Sequence, residues 1–415
     1  MVNVVEKRQV GEKLPKGWKW VRLEDVIDVR DGTHESPTYL PKGIPFITSK
    51  NLKFGQIDFD DVQFISYQDH ERFMHRSCVS KGDILYAMIG TVGNPVIVRT
   101  DVKFSIKNVA LFKFENSPFF NEYFCYLLQS PSVIQQVEAL TQGGIQKFVS
   151  LKVLRNLLVP LPPLPEQKRI VGILSDRLTA IDKARTATET QLKAAKALPA
   201  AYLRQVFDSP EAQKWKRKKL GDIALISGGI QKTPHRFPSS FHRSYLTVRN
   251  VQRGWLDLST VERFEITLGE LERCRLECGD LLIVEGNGSV DHIGRNAIYR
   301  GEPEDCIHQN HLIRVRLDQT KDDPDFLSFY LNSDFGKKQM LEKAMTTTGL
   351  HTLSVSKIQQ MEAPIISLEN QRKITLEIKE RLLTVTKLER SLQSQLNTIN
   401  QLPAATLRQA FNGEL

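Results

Sequence analysis

One passage of this chain is written twice. Residues 198–207 read LPAAYLRQVF and residues 402–411 read LPAATLRQAF. The offset, 402 − 198 = 204, holds upstream without a gap: Pro160 matches Pro364, Leu164 matches Leu368, Gln167 matches Gln371, Ile170 matches Ile374 and Arg177 matches Arg381. A solenoid unit spans only roughly 20–50 residues, so a period this long means that a whole domain was duplicated with its attached helix. Further upstream the copies drift. Trp18–Val26 resembles Trp215–Ile223 at offset 197, FITSKNLKFGQID (46–58) resembles YLTVRNVQRGWLD (245–257) at 199, KGDIL (81–85) resembles CGDLL (278–282) at 197, and Ile106-Lys107-Asn108 resembles His308-Gln309-Asn310 at 202. Drifting offsets mean that loops changed length on a retained framework, and variable loops on a scaffold carry specificity.

Each copy has two parts. Residues 1–150 and 211–350 are rich in short apolar alternations, β-branched residues and Gly/Asn turns, which predicts mostly strand, with one helix near 119–130 and its twin near 325–340. Residues 151–210 and 351–415 carry the long helices. In the later one, Ile374, Ile378, Leu382, Val385, Leu388, Leu392, Leu396, Ile399 and Leu402 make eight steps over 402 − 374 = 28 residues, a mean of 3.5. That is the period of a paired helical seam. The earlier copy has Ile170, Leu174, Leu178, Ile181, Ala184, Thr188, Leu192, Ala195 and Leu198 at the same nine places. Small residues in one seam set against large ones in the other predict dense packing between the two helices, but composition leaves their relative direction open. About 32 residues precede Pro199 and Pro403, hence a rod of ~48 Å that a proline should then kink or restart.

Lys and Arg number 57 against 48 Asp and Glu, a formal charge of +9, which favours a polyanionic partner. Five scattered cysteines suit a reducing compartment. The absence of a long apolar run and of a signal-peptide layout predicts a cytoplasmic protein.

PLPPLPEQKRIV (160–171), a long seam helix and then LPAAYLRQVF together resemble a central conserved region of type I restriction-modification specificity subunits. PIISLENQRKI (364–374) ending in LRQAFNGEL resembles their distal region, and LPKGWKWVRLEDV, IPFITSKNL and KGDILYAMIGTVGN add to the likeness. The second copy departs by replacing the proline-rich element with PIISLENQ. The resemblance implies an α+β fold. In it, two similar mixed α/β target-recognition domains (1–150 and 211–350) are separated by two long helices packed as an antiparallel coiled coil, with pseudo-twofold symmetry. It also implies that each domain reads half of a bipartite DNA site and that the helices set the spacer. The helices would dock two methyltransferase subunits through Gln167, Arg169 and Arg177 and through Gln371, Arg372 and Arg381. Restriction-translocase subunits complete the assembly, and S-adenosylmethionine, ATP and Mg2+ belong to partners, with no cofactor on this chain.

Candidate DNA contacts come in pairs, because reading bases needs donors and acceptors on turns beside basic groups. The first is Lys50-Asn51 with Arg249-Asn250, where the competing reading is that the asparagines cap a turn. The second is the Gly-rich turn holding Thr91 and Asn94, with Asn287 in its longer relative. The third is Gln142, Gln146 and Lys147 with Thr348 and His351, just ahead of the conserved helices. His34 pairs with Gln231 and Lys232, and Lys107 pairs with the run His308-Gln309-Asn310-His311, of which Gln309 is the foremost candidate. Cys274, Cys278, Cys306, His308 and His311 include zinc-type donors, but Ser77 and Lys81 stand in the first copy where Cys274 and Cys278 stand in the second, so no metal is expected. The chain shows no HExxH, GxSxG, Walker-type or amino-methyltransferase motif. Asp83 and Asp280 sit in Gly-Asp turns where turn hydrogen bonds account for them. A binding subunit without catalysis is expected, ahead of a stand-alone regulator of a split operator or a nuclease.

Overall fold

The computed structural model describes residues 14–53, 55–140, 148–231, 241–286, 293–344 and 352–415. It divides into two compact units, residues 1–189 with 394–415 (unit 1) and residues 190–393 (unit 2). These cut across the boundaries expected at 151, 211 and 351, because each unit takes the start of one long helix and the end of the other. The stretch after 151 also returns to its own domain: strand Leu158–Leu161 pairs antiparallel with Lys19–Arg22, and Glu362–Ile365 pairs likewise with Lys216–Lys219.

Unit 1 is built on a four-stranded antiparallel sheet in the order Asp28–Asp31, Val109–Lys113, Ile84–Ala87, Gly93–Ile97. All four residues of Ile84–Ala87 are buried because both faces of the sheet are covered. Side chains alternate across a strand, so Ile84 and Tyr86 enter one core with Phe112, Phe124 and Leu127. Leu85 and Ala87 enter a second core with Ile47, Leu52, Phe104 and Ile106. Unit 2 repeats the plan with the order Ala224–Gly228, Leu312–Leu317, Leu281–Val284, Asn296–Ile298. There Leu281 and Ile283 face the larger core while Leu282 and Val284 face the smaller. Each fully buried Leu or Ile contributes roughly 1.5–3 kcal/mol relative to exposure.

A smaller three-stranded sheet stands beside each. In unit 1 it pairs Ile44–Ile47 antiparallel with Gln63–Ile65 and parallel with Ser105–Ile106. In unit 2, His242–Leu246 pairs antiparallel with Glu262–Glu265 and parallel with Ile307–His308. Where one helix was expected in each copy, the chain forms two in succession, Asn121–Leu128 then Pro131–Leu140, and Pro324–Asn332 then Asp334–Ala344.

The long helices run Leu164–Phe207 and Leu368–Phe411. Pro199 and Pro403, where a kink or restart was expected, lie inside them, and each helix continues past its proline. Packing of the last turns against the domains outweighs one lost backbone hydrogen bond. The pairing is antiparallel, as is seen inside each unit. Ile170 and Leu174 from the start of the first helix share a core with Leu407, Ala410 and Phe411 from the end of the second. In unit 2, Leu203 and Phe207 share a core with Ile378. The aromatic anchors repeat as well: Phe411 packs edge-on against Tyr123 with centroids 5.3 Å apart, and Phe207 against Tyr330 at 5.5 Å. Val385 and Leu392 are buried as the seam requires, whereas Ala184, Leu388 and Leu402 are exposed.

Candidate nucleic-acid interface

Three of the paired motifs meet at one edge of each unit. In unit 1, Gly32 N donates to Val109 O and Thr33 bridges Lys107 in parallel. A Cβ on Gly32 would sit 2.2 Å from the Ile106 carbonyl oxygen, so only glycine lets the two segments touch. Lys107 N donates to Ile47 O, and Ser49 Oγ donates to Asn108 O, at 3.3 Å. The segments carrying His34, Lys50 and Lys107 are thereby joined. Unit 2 repeats this: a Cβ on Gly229 would lie 2.1 Å from His308 O, Ile230 bridges Gln309, and Gln309 N donates to Leu246 O. Gln231 and Arg249 are exposed there, and Gln309 Oε1 accepts from Val248 N at 3.3 Å.

The two asparagines leave the contact list. Asn51 is buried; its Oδ1 accepts from Thr48 N and Thr48 Oγ1, and its Nδ2 donates to the carbonyls of Asp58 and Asp61. Asn250 makes the same four bonds to Thr247, Asp257 and Thr260. With both amides saturated, they brace the loop that presents Lys50 and Arg249, and the capping reading holds. His308 leaves as well. It is fully buried, its Nδ1 donates to Leu312 O at 3.0 Å and its Nε2 meets no partner. Burial, followed by the charge of Arg314, lowers its pKa to about 4.

His34 stays at the edge, exposed, its Nε2 2.9 Å from the buried Asp31 carboxylate and its Nδ1 2.7 Å from Asn108 Oδ1. Arg76 pairs with the same Asp31. Lys50 Nζ lies 3.2 Å from Asp61, and Lys107 Nζ donates to Ser36 Oγ. Thr91 and Asn94 are exposed on the Gly-rich turn; Asn94 adopts φ +47 and donates to Leu52 O. Gln142, Gln146, Lys147, Lys232, Asn287, Thr348 and His351 lie outside the described residues. Their flanks are placed: Phe148 bridges Ile89, and Thr352 bridges Gly286, both beside the Gly-rich turns. Asn108 went unnoticed in the sequence as an edge residue. The signal for Asn108 was its residue type, since asparagine tolerates the left-handed φ of +52 found there.

The expected helix contacts divide. Gln167 and Gln371 are buried and saturated, so neither faces a partner subunit. Gln167 accepts from Phe120 N and donates to the carbonyls of Pro118 and Pro162. Gln371 accepts from Asp323 N and donates to Asp322 Oδ1 and Ile366 O. Each pins the start of a long helix to the N-terminus of a domain helix. Arg177 Nη1 reaches Gln409 Oε1 at 3.5 Å and Arg381 Nη1 reaches Gln205 Oε1 at 3.1 Å, the same link in both units. Arg169 is exposed and holds Glu166 and Leu415 O, and Arg372 is exposed. Among the described residues, no three His, Cys, Asp or Glu side chains group as a metal site, and no helix is long and apolar enough to cross a membrane.

Residues 15–194 match the family model of the type I restriction modification DNA specificity domain. Over nearly its whole length the chain is 23% identical to the EcoKI specificity subunit of Escherichia coli (strain K12), covering 97% of this chain and 90% of that protein. It is 22% identical to the StySPI specificity subunit of Salmonella potsdam, with the same coverage of both. The chain is thus similar to type I restriction-modification specificity subunits over nearly its whole length, and its first half matches their domain model. The fold agrees with two solved chains. One comes from work on complex assembly and conformational transition of the type I R-M system, with TM-score 0.70, 21% identity, and 97% of this chain and 100% of that one covered. The other is the HsdS subunit from Thermoanaerobacter tengcongensis, with TM-score 0.65, 22% identity, and 98% and 99% covered.

Two predictions arise at this edge. Replacing Lys50 or Arg249 by alanine should weaken DNA binding. A phosphate contact would lower the salt slope by about 1 with specificity kept, and a base contact would cost about 1–3 kcal/mol and relax one position, as binding titrations against a site library would show. The second concerns acid. His308 is held neutral in the fold, while the unfolded chain takes up its proton near pH 6.5. Protons therefore favour the unfolded state between about 6.5 and 4, and unit 2 should lose about 2 kcal/mol by pH 5. His308→Gln should flatten that part of the melting curve against pH; an unchanged slope would count against the assignment.

Proposed function

We infer that this chain is a DNA-specificity subunit of the type I restriction-modification class, that each of its units reads one half of a bipartite duplex site, and that the paired helices set the spacer between the halves. The observation that supports this most is the repeat of the reading edge: the same braced loop, glycine contact and bridge occur in both units and present different side chains. His34, Lys50 and Lys107 stand in one where Gln231, Arg249 and Gln309 stand in the other. Like frameworks with unlike contact residues suit two different half-sites. The exposed faces of the long helices, including Arg169, Arg372 and the Arg177–Gln409 and Arg381–Gln205 links, dock two methyltransferase subunits, one per repeat. Those subunits carry S-adenosylmethionine and methylate a flipped base. Restriction subunits, where they join, bring ATP and Mg2+, and the assembly works in the cytoplasm. Co-purification with the neighbouring methyltransferase should yield two of its copies per chain, and a methylome of the source should show a split motif. A continuous motif, or one methyltransferase copy per chain, would overturn the reading.

A further inference from the structure

The repeat lets one unit serve as the control for the other. Asn51 and Asn250 bond carbonyls at matching places, which fixes the local offset at 250 − 51 = 199 and sets Arg253 where unit 1 has Phe54. Gln136 exchanges two hydrogen bonds with the Leu158 backbone, and Gln339 does so with Glu362. That offset, 339 − 136 = 203, sets Lys337 where unit 1 has Ile134. Pairing of Ile84 with Ile97 and of Leu281 with Ile298 matches the two strands; across the register shift beside Ala87, Arg295 falls where unit 1 has the uncharged Gly93-Asn94. Three positions without charge in unit 1 are cationic in unit 2.

In unit 1 this face is a cleft of about 1390 Å3, lined among others by Gly55, Asn94, Ile134, Pro403 and Ala404. In unit 2, Arg295 donates to Gln252 Oε1 at 3.3 Å and to Val248 O at 3.2 Å, so it fastens the loop that carries both Arg249 and Arg253. Lys337 lies 3.9 Å from Asp334 Oδ1, while Asp334 Oδ2 is taken by Arg204 Nε at 3.0 Å and Nη2 at 2.9 Å. One carboxylate, Asp334, is thus shared by two cations, Arg204 and Lys337. Burial first, then Arg253, push the Lys337 ammonium below its ordinary pKa, and Arg204 adds to this while Asp334 opposes it. A second anion at this place would relieve that repulsion.

We propose that Arg253 and Lys337 of unit 2 hold a phosphate of the duplex backbone beside the half-site, with Arg295 positioning the loop, and that unit 1 has no equivalent contact. The inference rests on the DNA-reading role above and refines it: the two half-sites are held by unequal electrostatic terms. Neutralising a phosphate releases a counterion, with a slope of about 0.9 in log affinity against log salt.

The test uses the full chain with its methyltransferase and a duplex bearing the methylome-derived site, titrated from 50 to 200 mM salt. Arg253→Gln and Lys337→Gln should each lower the slope by about 1, so that affinity falls about fourfold less across that range, with the cognate-to-noncognate ratio unchanged. Lys337→Arg should keep the slope, and melting curves verify that every variant folds. Ile134→Lys should steepen the slope by about 1, since it supplies unit 1 with the missing cation. Unchanged slopes in folded variants, with site preference intact in the parent, overturn the phosphate contact alone. A relaxed base at unit 2's half-site with an unchanged slope also overturns it, by showing a base contact instead. A parent complex without site preference overturns the DNA-reading role together with this proposal.

Discussion

Removing residues 190–193 and 394–397 together is expected to change which spacer the protein prefers. The two segments occupy equal places in the repeat, 394 − 190 = 204, and they lie at the points where the compact units divide. Four residues are about one helical turn, so each helix shortens by ~6 Å while its faces stay nearly in phase. At roughly 3.4 Å per base pair, the favoured spacer should fall by one or two base pairs. The original site should then be held by one unit at a time, and its affinity should drop about 100-fold, the scale of a lost intramolecular second contact. Titration against duplexes that differ only in spacer length reads this directly. The deletion removes buried Leu192, so a melting curve must accompany it. If the folded variant keeps the parent's spacer optimum, the helices are not the ruler.

The second large effect is on stability. Asp83 is buried, and its Oδ2 accepts from Lys113 Nζ at 2.6 Å and from Ser80 N at 2.7 Å, while its Oδ1 accepts from Phe114 N. Lys113 is itself nearly buried, with further bonds to Cys78 O and Ser80 Oγ. Asp83→Ala would strand a buried ammonium, which costs about 3–5 kcal/mol, and two backbone N–H groups would lose their acceptor. Unit 1 should unfold well below unit 2, and recognition of its half-site should go first. Asp280 holds the equivalent place with Arg316, both guanidinium bonds being 2.7 Å or shorter. Arg316 also pairs with Glu277 and is more exposed than Lys113, so Asp280→Ala should cost less. Denaturant unfolding with separate probes in the two units distinguishes these outcomes. Replacing Asp83 and Lys113 together by apolar residues should recover much of the loss, because the stranded charge then disappears.

Those two carboxylates show where reading along the chain reaches and where it ends. Their Gly-Asp turns predicted a turn hydrogen bond, and both are present, to Ser80 N and Glu277 N. The cations that complete them stand on strands 30 and 36 residues further on, and no local pattern announces a partner at that range. Asn51 and Asn250 make the same point from the other side. Their residue type allowed either capping or base contact, and only the carbonyls of Asp58, Asp61, Asp257 and Thr260 arriving overhead decided for capping.

Periodicity and repetition are carried by neighbouring residues, so the duplication, the long seam helices and the strand-rich character of each copy could be read directly. Antiparallel pairing of the helices, the parallel contact of Ile44–Ile47 with Ser105–Ile106, and the sharing of each long helix between two compact units could not. These are contacts between segments far apart in the chain, and several arrangements bury the same apolar surface. Which one forms is chosen by packing and hydrogen-bond saturation in three dimensions, such as Phe411 against Tyr123 or Gln167 closing on Phe120.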